Sequence, residues 1–227
     1  MVQRRVFLRR SLASVFAVAL VTAFLASHTL PGRAQADAFA DGAKTFIEAL
    51  TADAITMLTG KDISREERAK RFRVLMNKNF SIKGIAKFVL GRQLRKASED
   101  QKKKYLKLYE DLMVATYADR FAKYSGERLL VKRSEVRGKK DAIVYTTMVK
   151  AKNAADPLKV DWRVRAKGDT FTIVDVMVEG ISMIMTQKSE FSSFMKTSGG
   201  NFDTFLEELK KRVDSNSPQT EQTASSK

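Results

Sequence analysis

The sequence predicts an α+β fold in which a four-stranded antiparallel sheet packs against a bundle of helices, and three observations predict it. Apolar residues recur at spacings of three and four up to Gly126, a two-residue alternation replaces that pattern over residues 128–178, and helical spacing returns over residues 181–213. Strands in one block with short connections make an antiparallel meander, which has to bury a face against the helices that flank it.

Residues 1–36 read as an export leader. Arg4 and Arg5 precede Val6-Phe7-Leu8, an apolar run covers residues 12–30, and Ala34-Gln35-Ala36 supplies the small residues of a cleavage site. The paired arginines resemble a twin-arginine signal. Ordinary Sec export and a retained anchor are the alternatives, the latter because the run approaches the ~20 residues that span a bilayer. Cleavage after Ala36 leaves a domain of residues 37–214 and a tail, 215–227, which offers only Ala224 to a core and is expected to be disordered.

Within the domain, Phe39, Ala43, Phe46, Ile47, Leu50, Ala54, Met57 and Leu58 share one helical face that stops near Gly60. Ser64 and Glu67 fit a capping box that opens a second helix, and residues 80–90 make a short buried helix, with Phe88 on its apolar side, halted at Gly91. Ser98 and Gln101 form another box, opening the longest helix, to about Tyr124. Its stripe of Tyr105, Tyr109, Leu112, Met113, Tyr117 and Phe121 is what a core-facing helix carries.

Residues 128–136 and 141–152 make a hairpin about Gly138. In the strand over residues 157–167, Leu158, Val160, Trp162 and Val164 alternate with Lys159, Asp161, Arg163 and Arg165, so one face meets solvent. The strand over residues 170–178 is apolar on both faces. Beyond Glu179-Gly180, Ile181, Ile184, Met185, Phe191, Phe194 and Met195 return to helical spacing until Gly199-Gly200, and Asn201 starts a last helix carrying Phe202, Phe205, Leu206 and Leu209.

Composition narrows the chemistry. Cysteine is absent, and the one histidine, His28, lies in the leader, so the domain has no Ser-His-Asp or Cys-His machinery, no thiol redox centre and no usual zinc set. Carboxylate, tyrosine and lysine chemistry remain open, and the enzyme reading they allow is Asp175 acting with Tyr145 in an apolar pocket that raises the Asp175 pKa. The competing reading has Asp175 hydrogen-bonding locally to hold the Glu179-Gly180 corner. No catalytic residue, metal or cofactor is expected otherwise. Lys and Arg number 42 against 26 Asp and Glu. They crowd the helical half, from Arg65 and Arg68 through Lys83 and Lys87 to Lys102, Lys103, Lys104 and Lys107. Export makes nucleic acid an improbable partner, and the charge suits an anionic membrane surface or an acidic docking partner.

Two stretches carry a family resemblance. One holds Phe88-Val89-Leu90-Gly91-Arg92, Ala97-Ser98-Glu99-Asp100-Gln101, Ala115-Thr116-Tyr117-Ala118 and Tyr124-Ser125-Gly126-Glu127; the other is Asp175-Val176-Met177-Val178-Glu179-Gly180-Ile181-Ser182, followed by Glu190-Phe191. Together they resemble the MlaC family, the toluene-tolerance or ABC-transporter auxiliary proteins. Leu94 in place of Trp and Lys188 in place of Arg are the departures, and the export signal together with Lys188-Ser189-Glu190-Phe191 suits the hopanoid-associated HpnM subgroup. The resemblance implies a periplasmic shuttle that carries phospholipid, or another acyl or polycyclic lipid, between an inner-membrane ABC transporter complex and an outer-membrane lipoprotein complex. Its pocket is expected between sheet and helices. Val144, Met148, Trp162, Val164, Ile173, Met177, Ile181, Ile184 and Met185 are the expected lining, although each is also what an ordinary core contains, and Lys102, Lys103 and Lys104 are the expected docking surface. A ligand-free adaptor or chaperone remains the third reading; it calls for an exposed apolar groove instead of a closed cavity.

Overall fold

A computed structural model describes residues 31–150, 157–168 and 170–216. Helices α1 (Pro31–Leu58), α2 (Arg65–Asn79), α3 (Ile82–Leu90) and α4 (Glu99–Tyr117) precede strands β1 (Arg128–Arg137), β2 (Asp141–Val149), β3 (Leu158–Lys167), β4 (Thr170–Val178) and β5 (Ile181–Ser182), and α5 (Met183–Thr197) and α6 (Phe202–Asn216) follow. Of the expected leader, residues 1–30 lie outside the described residues and 31–36 form the start of α1; of the expected tail, residues 217–227 lie outside.

Of the two capping boxes that the sequence announces, one closes in full. Ser64 accepts from the Glu67 backbone N–H at 3.1 Å while the Glu67 carboxylate accepts from Arg71 at 2.8 Å, and Ser98 and Gln101 satisfy each other's backbone donors at 3.2 and 3.0 Å. α4 stops at Tyr117, and a tighter 3-10 turn, Ala118–Lys123, carries Phe121 against Phe72 with ring centroids 5.9 Å apart. Phe88, expected inside, is 44% exposed, because the buried stripe of α3 is Ile82, Ile85, Ala86, Val89 and Leu90 and Phe88 falls off it.

The sheet has five strands in the order β1-β2-β3-β4-β5, all antiparallel, where the sequence predicts four. Glu179 and Gly180 both take positive φ, 50° and 78°, as a two-residue type I′ hairpin requires, and this folds Ile181 and Ser182 back onto Val178 and Met177. Two residues are too short a strand to show alternation in the sequence. Register shifts leave Lys132 in β1 and Val174 in β4 without a partner, and such bulges bend and twist a strand. They also reset which side chains share a face.

Buried apolar side chains fall into two clusters. One joins α1, through Ala43, Ile47, Leu50 and Leu58, and Leu75 of α2 to Ala142, Val144, Val164 and Ile173 of the sheet; the other joins Met76 of α2 with α3, α4, α5 and α6 around Tyr105, Tyr109, Phe191, Phe205 and Leu209. Phe72 and Phe80 pack against both. The α2–α3 junction is pinned to the sheet at this boundary, since Phe80 bridges Ile173 and the Ser81 N–H donates to the Ile173 carbonyl at 2.9 Å.

Arg68, which by sequence belongs to a solvated basic face, is 6% exposed. Its guanidinium donates to the carbonyls of Leu58, Gly60 and Ile63 at 2.9, 3.3 and 3.0 Å, so it satisfies the end of α1 and ties that helix to α2. Arg68→Met keeps the stem and removes the fork. Urea unfolding is expected to show it less stable by roughly 2–3 kcal/mol, because buried carbonyls lose a charged donor; an unchanged midpoint refutes this role.

Candidate functional site

The register arranges the inner face of the sheet in four rungs. The first is Val136, Ala142, Val164 and Ile173; the second Ser134, Val144, Trp162 and Val176; the third Val131, Thr146, Val160, Val178 and Ile181; the fourth Leu129, Met148 and Leu158. Coverage is uneven along this ladder. Ala142, Val144, Val164 and Ile173 are fully buried, and Thr146 and Val160 of the third rung are buried as well, whereas Val136, Trp162, Val176, Val131, Val178, Leu129 and Met148 are half-buried, Leu158 is 37% exposed and Ile181 60%. The apolar face therefore runs out from beneath α1 toward an end where solvent reaches it.

Trp162 sits where closed meets open. Its indole Nε1 donates to the Thr146 hydroxyl at 3.2 Å, the Thr146 hydroxyl donates to the Val160 carbonyl, and Phe80 approaches its ring edge-on at 6.5 Å. The indole N–H is thus satisfied within the sheet and the rest of the ring presents apolar surface.

The residues singled out from sequence divide accordingly. Val144, Val164 and Ile173 are fully buried, and Trp162 and Met148 half-buried. Met177 is on the other face, paired with Asp161, because the Val174 bulge changes the parity of β4 between Ile173 and Met177. Ile184 packs into the helical cluster, while Ile181 and Met185 point outward, Met185 52% exposed. Val131, Val176, Val178 and Phe80 are inner-face or boundary residues that the sequence reading left out; the alternation that marked Val164 also marks Val176 and Val178 once the bulge is known. A cleft of about 290 Å³ opens among α4, α5 and α6, with Leu112, Met113, Met183 and Phe191 on its walls and Arg212, in an ion pair with Glu190, at its rim. It lies on the helical side, apart from the sheet.

Asp175 and Tyr145 do not meet. Tyr145 is on the solvent face, where the Arg133 guanidinium stacks on its ring at 3.8 Å and its hydroxyl donates to Glu135 at 3.2 Å. Asp175 accepts from the Ser182 hydroxyl at 2.6 Å and the Ile184 N–H at 3.3 Å, while Ser182 accepts from the Met185 N–H at 3.2 Å. The carboxylate caps the start of α5 and ties it to β4. Burial pushes the Tyr105 and Tyr109 phenols above their ordinary range, so both remain proton donors, to the Ala86 carbonyl at 2.8 Å and to Gln187 Oε1 at 2.5 Å. Among the described residues no group of three or more His, Cys, Asp or Glu converges on a metal position, and no helix is long and apolar enough to cross a membrane.

On the basic side, Lys102 pairs with Glu99 at 2.8 Å and Lys103 stands 3.8 Å from Asp100, both on the first turn of α4; Lys104 is exposed and makes no ion pair among the described residues.

Comparison with known proteins places this geometry. The family model described as MlaC protein matches residues 48–211. Among solved structures, a phospholipid-binding protein from Ralstonia solanacearum, determined in complex with a phospholipid, superposes with a TM-score of 0.67 at 17% identity, covering 76% of this chain and 97% of that one.

The corner that launches α5 carries its own test. Glu179 is the one non-glycine residue with positive φ among the described residues, and its carboxylate accepts from the Lys159 N–H at 2.7 Å. Holding a side chain in that region costs about 1 kcal/mol, which the charged hydrogen bond offsets. Glu179→Ala loses the bond and keeps the strain, so an unfolding free energy lower by about 2 kcal/mol is expected. Glu179→Gly loses the bond and relieves the strain, for a loss of about 1 kcal/mol. Equal losses in chemical denaturation contradict the argument.

Proposed function

This chain belongs to the MlaC family, and on that premise we propose that it is a periplasmic lipid carrier which holds acyl chains against the half-open rungs of its sheet. The observation that carries the proposal is the unevenly covered ladder: an apolar face closed at Val164 and Ile173 and left partly accessible at Met148, Leu158 and Val178. An acyl chain of about 15 methylenes exposed to water costs on the order of 10 kcal/mol, and a carrier has to offset that by enclosure. Trp162, Val176, Val178, Met148 and Leu129 provide such a surface, and the boundary at Phe72 and Phe80 is where the two clusters separate to admit a chain. Methionine suits this place because its unbranched side chain adapts to ligands of varied shape. The headgroup stays at the open end, in water. The bound phospholipid of the Ralstonia relative supports the ligand class.

In this reading the leader delivers the protein to the periplasm, where it moves lipid between an inner-membrane transporter complex and an outer-membrane complex. A hopanoid is the alternative cargo, since a rigid polycycle meets the same apolar surface. Lys103 and Lys104 contribute to docking, while Lys102 is already engaged by Glu99.

Lipid extraction and mass spectrometry of the protein recovered from its own host identify the cargo, with phospholipid expected at about one molecule per chain. Met148→Asp and Val178→Asp place a charge beside the chain at half-buried positions, and each is expected to retain cooperative melting and to lose most of its lipid. Thr147→Asp, on the solvent face opposite Lys159, is expected to keep it. Folded Met148→Asp and Val178→Asp proteins that carry lipid as the wild type does exclude this face as the binding surface.

A further inference from the structure

Three large apolar side chains are exposed around the α3–α5 contact: Phe88 at 44%, Ile181 at 60% and Met185 at 52%. Ile181 and Met185 are four residues apart, Lys188 follows three further on, one turn along α5, and the Lys188 ammonium sits 4.3 Å from the centre of the Phe88 ring. Ile181 also ends the third rung of the sheet, so this patch adjoins the open end of the inner face.

Lysines outnumber carboxylates around the patch, where Glu179 accepts from the Lys159 backbone N–H and Asp100 stands 3.8 Å from Lys103. Lys87 neighbours Phe88 on α3, and Lys83 lies one turn earlier; both are exposed and make no ion pair among the described residues. Lys83 shares a cleft with Lys103 of α4, in which Glu110 and Asp111 are already matched by Arg73 and Lys107. The surface from Lys103 through Lys83 and Lys87 to Lys188 is therefore cationic, with Phe88, Met185 and Ile181 beside it.

We propose that this surface seats the protein directly on an anionic phospholipid bilayer, the lysines meeting headgroup phosphates while Phe88, Ile181 and Met185 enter the acyl boundary. Exposed apolar side chains flanked by lysine are what an interfacial contact needs: charge for approach, apolar area for depth, and aliphatic lysine stems that keep their ammonium groups in water. Lys188 exchanges its cation–π contact for a phosphate, which frees the Phe88 ring to insert. Because Ile181 belongs to both patch and ladder, seating the patch brings the open end of the sheet against the membrane, where a lipid passes between bilayer and protein without crossing water. The inference rests on the carrier reading for its purpose, but its test does not.

The test is co-sedimentation of the protein recovered from its host with phosphatidylglycerol–phosphatidylcholine vesicles, wild type against a variant combining Phe88→Ser and Met185→Ser, which lie outside the ladder. Since these positions are exposed, the variant is expected to melt as the wild type and carry the same lipid, yet partition onto the vesicles about tenfold less. Lys83→Glu with Lys87→Glu is expected to abolish most of the remaining binding at low salt. Equal partitioning of wild type and serine variant overturns the proposal whatever lipid the protein carries. Loss of vesicle binding from a protein that purifies without lipid leaves the bilayer contact standing and removes the carrier reading instead.

Discussion

One helix cannot cover the inner face of this sheet, and the rest of the architecture follows from how the remainder is kept from water. α1, with Leu75 of α2 and the flanking Phe72, Phe80 and Phe121, buries Ala142, Val144, Val164 and Ile173. Beyond them Thr146 and Val160 are buried too, but Val131, Val178, Leu129, Met148 and Leu158 keep part of their apolar surface within reach of solvent. In a protein whose only task is to be stable, such a face is a liability, because half-covered valine and methionine forgo part of the free energy that burial supplies, about 25 cal/mol for each Å² left wet. A ligand that completes the layer makes the same face an advantage. The helical cluster is closely packed in itself, with Tyr105 and Tyr109 donating to Ala86 and Gln187.

Apolar residues of α2 reach both clusters, Leu75 in one and Met76 in the other, and polar contacts add to this junction. Phe80 and Ser81 meet Ile173 at the β4 bulge, Asp175 and Ser182 tie β4 to the first turn of α5, and Glu179 fastens the adjacent turn to β3. The block from Asp175 to Ser182 is hence both the launching point of α5 and a polar link across the boundary between the clusters.

Much of this was legible in the sequence because it is local. Ser98 and Gln101 announce the start of α4, and the alternation from Leu158 to Arg165 announces which side of β3 faces inward. The rest depends on partners. Nothing near Val174 signals that it will lack a partner on β3, yet that bulge moves Met177 to the solvent side and leaves Val176 and Val178 facing inward. Arg68 looks like its solvated neighbours until the carbonyls of α1 arrive to occupy it. Phe88 looks buried until the actual stripe of α3 is known. The family resemblance names a ligand class that periodicity alone does not reach, because any helix-covered sheet needs an apolar inner face.

Trp162 is the one tryptophan of the chain, and it stands at the boundary between closed and open rungs. Its fluorescence in protein loaded with phospholipid brominated along the acyl chain tests the central claim directly. Strong quenching is expected when the bromines lie on the chain, with little change when the same lipid is free in vesicles and the protein is already loaded with unbrominated lipid. Full emission from a stoichiometric complex with the brominated lipid contradicts the account, since it puts the acyl chains away from the sheet.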